Sequence, residues 1–155
     1  MPWHTQSLSK LYKINGDKRY AEAIFILNDK LLELQDMDQD SEFFGRFYDP
    51  KTPQYGSPHS ASDGVYTEGL VYAFEIAESL GDDEHMELYR EAVLRALNYL
   101  ISLQYQSDER AEFAYFSRLE GAIRYKIGDE RIRIDTTQHT LDAYRKIGET
   151  GEIVL

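Results

Sequence analysis

Residues 66–104, YTEGLVYAFEIAESLGDDEHMELYREAVLRALNYLISLQ, decide the fold. Leu70, Ala73, Phe74, Ala77 and Leu80 recur at intervals of three and four, which predicts a helix from Tyr66 to Leu80. Gly81-Asp82-Asp83 then stops one helix and starts another, since glycine accepts the left-handed turn that ends a helix and aspartate caps the free amides that begin one. Glu84 to Gln104 is the partner helix, with Met86, Tyr89, Val93, Leu97, Leu100 and Ile101 spaced for burial. The stretch reads as a helical hairpin that closes on Ile101-Ser102-Leu103-Gln104.

The same cadence stands upstream. Leu8, Leu11, Tyr12 and Ile14 predict a short helix over Thr5–Ile14, Asn15-Gly16-Asp17 repeats the stop and restart, and Tyr20, Ile24, Leu27, Leu31 and Leu34 predict a longer helix from Lys18 to Gln35. Ala21, Ala23, Ile26 and Leu32 widen its apolar stripe, so this helix should pack on more than one neighbour. Downstream, alternation across residues 122–134 around Gly128-Asp129 predicts a β-hairpin, and a last short helix should run from about Thr136 to Ile147 and stop near Gly148. The helices open on related segments, Thr5-Gln6-Ser7-Leu8, Thr67-Glu68-Gly69-Leu70 and Thr137-Gln138-His139-Thr140-Leu141, separated by 62 and 70 positions. Self-similarity at that period implies an array of αα-hairpins in which each unit covers its neighbour's apolar face. The third unit stops after its first helix, so a second copy of the chain or a missing complementary segment is expected to complete it.

Composition bounds the function. The 155 residues suit one domain, 1–155, or a piece of a larger one. With 17 Lys and Arg against 28 Asp and Glu, the formal charge is −11, which repels the phosphate backbone and anionic lipid, so neither nucleic acid nor membrane is an expected partner. Hydrophobic residues at 42% supply a core that a disordered acidic chain lacks. Without cysteine there is no disulfide, thiolate catalysis or cysteine-ligated metal. No apolar run approaches membrane-spanning length and Met1-Pro2-Trp3-His4 is unlike a signal peptide, so the default expectation is a soluble, cytoplasmic protein.

The helix, Gly-Asp, helix, Leu-Gln cadence, the aromatic loops between hairpins, and the Thr-Glu-Gly-Leu and Arg-Ile-Asp-Thr-Thr-Gln-His segments resemble the six-hairpin glycosidase-like (α/α)-toroid superfamily. The resemblance implies a mainly all-α fold of αα-hairpin repeats forming part of an (α/α) toroid, with inner and outer helices alternating round a ring and a sugar bound at one end of it. The chain is shorter than a complete ring. The implied partner is a sugar or oligosaccharide.

If the first helix of each unit is an inner one, its leading end brings Trp3 and His4 together with Asp63, Tyr66 and Glu68 and with Asp135, Gln138 and His139. Glycoside hydrolysis needs one protonated and one ionised carboxyl, which Asp63 or Asp135 paired with Glu68 would supply. A toroid sugar epimerase would use histidine instead, making His4 and His139 the candidates for proton transfer. Asp63 and Asp135 also suit plain capping, and each histidine suits a structural place. Trp3, Tyr55 and Tyr66 offer flat faces to a pyranose, while Arg131 and Arg133, alternating on one strand, could clamp a carboxylate or phosphate or pair with surface acids. His59 falls in a Pro-Ser loop. Asp36, Asp38 and Asp40 lack the glycine and terminal glutamate of a calcium loop and read as a charged turn. No His-x-x-x-His spacing is present, so neither a metal nor a cofactor is expected. The expected function is carbohydrate binding or processing, against the alternative of a noncatalytic helical-repeat scaffold or assembly subunit.

Overall fold

The glycine–aspartate stops fall where the sequence puts them. The computed structural model describes residues 2–48, 59–106 and 116–151. Its order is α1 (Pro2–Asn15), α2 (Lys18–Leu32), α3 (Ser60–Leu80), α4 (Asp83–Ser102), a 3-10 turn at Phe116–Arg118, β1 (Arg124–Lys126), β2 (Asp129–Ile132) and α5 (Ile134–Thr150). The fold is thus mainly helical, with one small antiparallel hairpin pairing Arg124 with Ile132 and Lys126 with Asp129. Asp17 caps α2 by accepting from the amide of Arg19, and Asp82 caps α4 by accepting from that of His85.

Several boundaries differ from the periodicity, among them α2 and α4, which end at Leu32 and Ser102 short of Gln35 and Gln104, and α5, which starts at Ile134. α1 starts at Pro2 rather than Thr5, because proline in the first turn gives up no helical hydrogen bond. α3 starts at Ser60 rather than Tyr66; its opening Ser60-Ala61-Ser62-Asp63-Gly64 has no apolar stripe, and tertiary burial supplies what local propensity does not. α5 runs through Gly148 and ends at Gly151, whose φ is 67°.

The Leu-Gln ends of both hairpins build the same clasp. Gln35 forms an isolated antiparallel bridge with Phe47, and Gln104 forms one with Ile123. In the first clasp the amides of Asp36 and Tyr48 donate to the carbonyls of Arg46 and Leu34; in the second those of Tyr105 and Arg124 donate to Ala122 and Leu103. Each glutamine side chain donates to the carbonyl of a glycine two residues before its bridge partner, Gly45 at 2.9 Å and Gly121 at 3.0 Å. These glycines sit at φ of 91° and 83°, where a side chain is strained, and a Cβ on Gly45 would lie 2.3 Å from the Arg95 carbonyl oxygen.

α3 is the central element and packs against all four other helices. Thirteen of its 21 residues are buried, so it needs no single apolar face. Ile24 and Leu31 of α2, Leu70, Phe74 and Ile76 of α3, Tyr89, Val93, Leu97 and Leu100 of α4, and Ile147 of α5 form one core with Phe47 of the clasp. Each large aliphatic removed from water there contributes about 1.5–3 kcal/mol.

Along its two flanks α3 meets α1 and α5, both running parallel to it. Gln6 reaches Glu68 and Lys13 reaches Glu75 from one side, while His139 reaches Glu68 and Lys146 reaches Glu75 from the other. The contacts keep a constant offset of 62 positions on the α1 side and 71 on the α5 side. The repeat read from the sequence, 62 and 70, therefore lies within one residue of the side-by-side register.

Candidate functional site

Glu68 stands at the junction of the three parallel helices. Its Oε1 accepts from the Gln6 amide at 2.7 Å and its Oε2 lies 3.4 Å from Nδ1 of His139. Only 8% of Glu68 is exposed. Two glycines of α3 permit this approach: a Cβ on Gly69 would lie 2.9 Å from Cβ of Pro2, and one on Gly64 would lie 3.0 Å from the Thr140 amide nitrogen and 3.1 Å from Cβ of His139. A Glu68 carboxylate facing Nδ1 favours the tautomer with its proton there, so the neutral ring carries its lone pair on Nε2.

His139 also lines a hollow of about 340 Å3, together with Pro2, Trp3, His59, Val65, Tyr66 and Asp135 among others. The leading ends of α1, α3 and α5 therefore converge, as the repeat requires. Trp3 is 65% exposed there, while Tyr66 packs edge-on against Phe47 with ring centroids 5.7 Å apart. Burial and the nearby Asp63 push the Tyr66 hydroxyl above its ordinary pKa. Glu68 is not in the lining.

Other residues singled out in the sequence fall elsewhere. Asp63 is fully buried in the first turn of α3, accepting from the Phe47 amide at 2.9 Å and lying 3.5 Å from the Arg46 guanidinium. Burial pushes its carboxyl up to about 6 against the pull of Arg46 and the Phe47 amide. Arg46 is itself buried, over the rings of Phe43, Tyr48 and Tyr99. Asp63 thus pins the first clasp to α3 and is not in the lining of the hollow. Asp135 is in the lining, but Arg133 holds both its oxygens, at 2.9 and 2.6 Å, and keeps its carboxyl below the usual range. Arg131 is paired with Asp129, and the guanidinium carbons of Arg131 and Arg133 lie 5.1 and 5.5 Å from the centroid of Tyr125. His4 and Gln138 are exposed and outside the hollow. Tyr55 lies outside the described residues.

Two residues gain importance that the sequence reading did not give them. His59 is the N-cap of α3, accepting from the Ser62 amide at 3.2 Å, and its ring stacks on Tyr125 at 5.0 Å. Burial, helped by Arg133, lowers its pKa, so the neutral ring faces the hollow at pH 7. Its signal was its place before a run of small residues that opens a helix. Asp142 stands three residues after His139, on the same side of α5, and brings a carboxylate oxygen to within 4.8 Å of the Glu68 and His139 donor atoms. The alternate aspartates Asp36, Asp38 and Asp40 act as turn residues instead: Asp36 Oδ1 accepts from the Asp38 amide and Asp38 Oδ1 from that of Asp40. No helix among the described residues is long and apolar enough to cross a membrane.

Comparison of the chain with protein-family models, curated proteins and solved structures returns no match.

Proposed function

We propose that the chain binds carbohydrate in the hollow at the leading ends of α1, α3 and α5, with His139 as its proton-transfer residue. The carrying observation is that three separated helix starts deliver Trp3, Tyr66, Asp135 and His139 to one hollow of about 340 Å3. Its size is that of a small-ligand site, and its mixture of flat rings and a few polar groups suits a pyranose, whose C–H faces stack while its hydroxyls hydrogen-bond. Glu68 engages Nδ1 of His139, which leaves Nε2 as the nitrogen to take a proton from a bound sugar. This arrangement favours the histidine chemistry of an epimerase or isomerase over hydrolysis by paired carboxylates, because Asp63 is committed to Arg46 and Phe47 and neither Asp63 nor Glu68 lines the hollow.

Titration with a panel of mono- and oligosaccharides tests the reading directly. Trp3 is the chain's single tryptophan, so a sugar entering the hollow should change its fluorescence saturably, and Tyr66→Ala should weaken that response. A bound sugar incubated in D2O should gain deuterium at a carbon-bound position with wild type and not with His139→Ala. Absence of any saturable response across the panel overturns the proposal.

A second reading, assembly with another copy, has its own observation. A further hollow of about 420 Å3 lies between the end of α4 and α5, lined by Ile101, Ile123, Leu141 and Tyr144 among others, and Leu141 is 59% exposed. Light scattering that finds a stable monomer at high concentration removes this reading.

A further inference from the structure

Glu68 and Glu75 sit in the same helix and meet the same two neighbours, yet their charges are balanced differently. Glu75 has two ammonium groups, Lys13 and Lys146, each at 2.7 Å. Glu68, nearly buried, has the amide of Gln6, which carries no charge, and the imidazole of His139, which carries one only when protonated. Asp142 then adds a second carboxylate, whose own cation, Arg145, is 3.9 Å away. A nearly buried carboxylate without a fixed positive partner is costly, and here two acids and one imidazole converge where the neighbouring tier places lysines.

We propose that Glu68 Oε2, His139 Nδ1 and a carboxylate oxygen of Asp142 bind a divalent first-row transition-metal cation. One donor atom from each of the three residues lies within 4.8 Å of the others, and the 3.4 Å between Nδ1 and Oε2 already matches the edge between two ligands on a metal with bonds of about 2.0–2.2 Å. Two carboxylates neutralise one dication. A nitrogen donor beside two oxygens suits Zn2+ or Mn2+ better than Ca2+ or Mg2+, which prefer oxygen alone. Gln6 holds the other oxygen of Glu68, the kind of outer support that orients a ligand. The set spans two helices, which is why no ligand spacing within one segment announces it. Metal on Nδ1 moves the ring proton to Nε2, so the cation turns Nε2 of His139 from a proton acceptor into a donor. The site stands on its own three residues and needs no sugar.

Calorimetric titration of the full chain with Zn2+, Mn2+ and Ca2+, without sugar, tests it. One equivalent of Zn2+ should bind, with Ca2+ much weaker, and Glu68→Gln, His139→Asn and Asp142→Asn should each reduce affinity about tenfold or more. His85→Asn is the control, since His85 also meets two carboxylates, Asp82 and Asp29. Loss of binding in His85→Asn, equal affinity for Ca2+, no binding, or full affinity in Asp142→Asn overturns the proposal. Asp142 is only half-buried, so its near-isosteric variant should keep the wild-type circular dichroism spectrum and leave the result decisive.

Discussion

Glu68 and Glu75 lie seven residues apart on α3, and each is bracketed by a side chain from α1 and another from α5, at the same two sequence offsets. This pair of tiers fixes how the three helices slide against one another. A shift of either flanking helix by one residue would rotate all of its tier partners away from α3.

The lower tier should be the structural one. Glu75→Gln leaves Lys146, 8% exposed, with a neutral amide oxygen and the Tyr72 ring, 3.7 Å from its Nζ, in place of its counter-ion. Removing one partner of a buried pair costs about 3–5 kcal/mol, and the partial exposure of Glu75 and Lys13 brings the expectation to about 2 kcal/mol. Urea denaturation of wild type and variant measures it, and a change under about 0.5 kcal/mol would refute the assignment.

Gly64→Ala should act on both stability and the site. Its new Cβ would meet the backbone of Thr140 and Cβ of His139, so α5 must move out. The expected cost is about 1–3 kcal/mol, accompanied by a weaker link between His139 and Glu68. An unchanged midpoint, together with unchanged NMR chemical shifts of the His139 ring, would show that α5 gives way freely.

Asp63 should give stability a distinctive pH dependence. Its folded pKa, about 6, is raised above the ordinary 3.8, so the native state holds the proton more tightly than the unfolded chain does. The contribution is fully present below pH 3.8 and is lost as pH rises through 6, by about 3 kcal/mol in all. The stability of wild type relative to Asp63→Asn should therefore fall between pH 4 and pH 6. A flat difference over that window would contradict the burial argument.

His59 should contribute with the opposite sign. Its folded pKa lies below the ordinary 6.5, so its stabilising neutral form is fully present at higher pH and lost as pH falls below that value. Relative to His59→Asn, which retains a capping side chain, wild type should weaken on acidification from pH 7 to pH 5. A relative gain in wild-type stability over that range would remove His59 from the neutral cap.

The two clasps should differ in strength although they share a hydrogen-bond pattern. Gln35 is buried and also donates to the Ala92 carbonyl and accepts from Arg95, whereas half-exposed Gln104 donates to Gly121 alone within its clasp. Gln35→Ala should cost about 2–3 kcal/mol and Gln104→Ala about 1 kcal/mol. Equal losses on denaturation would mean that the glutamines contribute only through the shared backbone bridge.

The hairpins were legible because apolar residues at helical intervals and Gly-Asp stops are local signals. The start of α3 was not, because Ser60 to Gly64 becomes helical through burial and the His59 cap. The repeat brings Trp3, Tyr66, Asp135 and His139 to one hollow and Glu68 to His139, but it also places His4, Asp63 and Gln138 there, and these lie outside the lining. What the sequence could not show was Asp63 under Arg46, since that pairing depends on which segments lie side by side. The same holds for Asp142, whose partner stands 74 positions earlier in the chain.

The glutamine clasps separate the length of a connection from its destination. Gln35 meets its bridge partner 12 residues on and Gln104 meets its own 19 residues on, yet both return the chain in the same way. An excursion between the ends of a clasp can therefore grow, shrink or change its chemistry without re-aiming the helix that follows. Repeats built in this manner can diversify what they recognise while inheriting an unaltered frame.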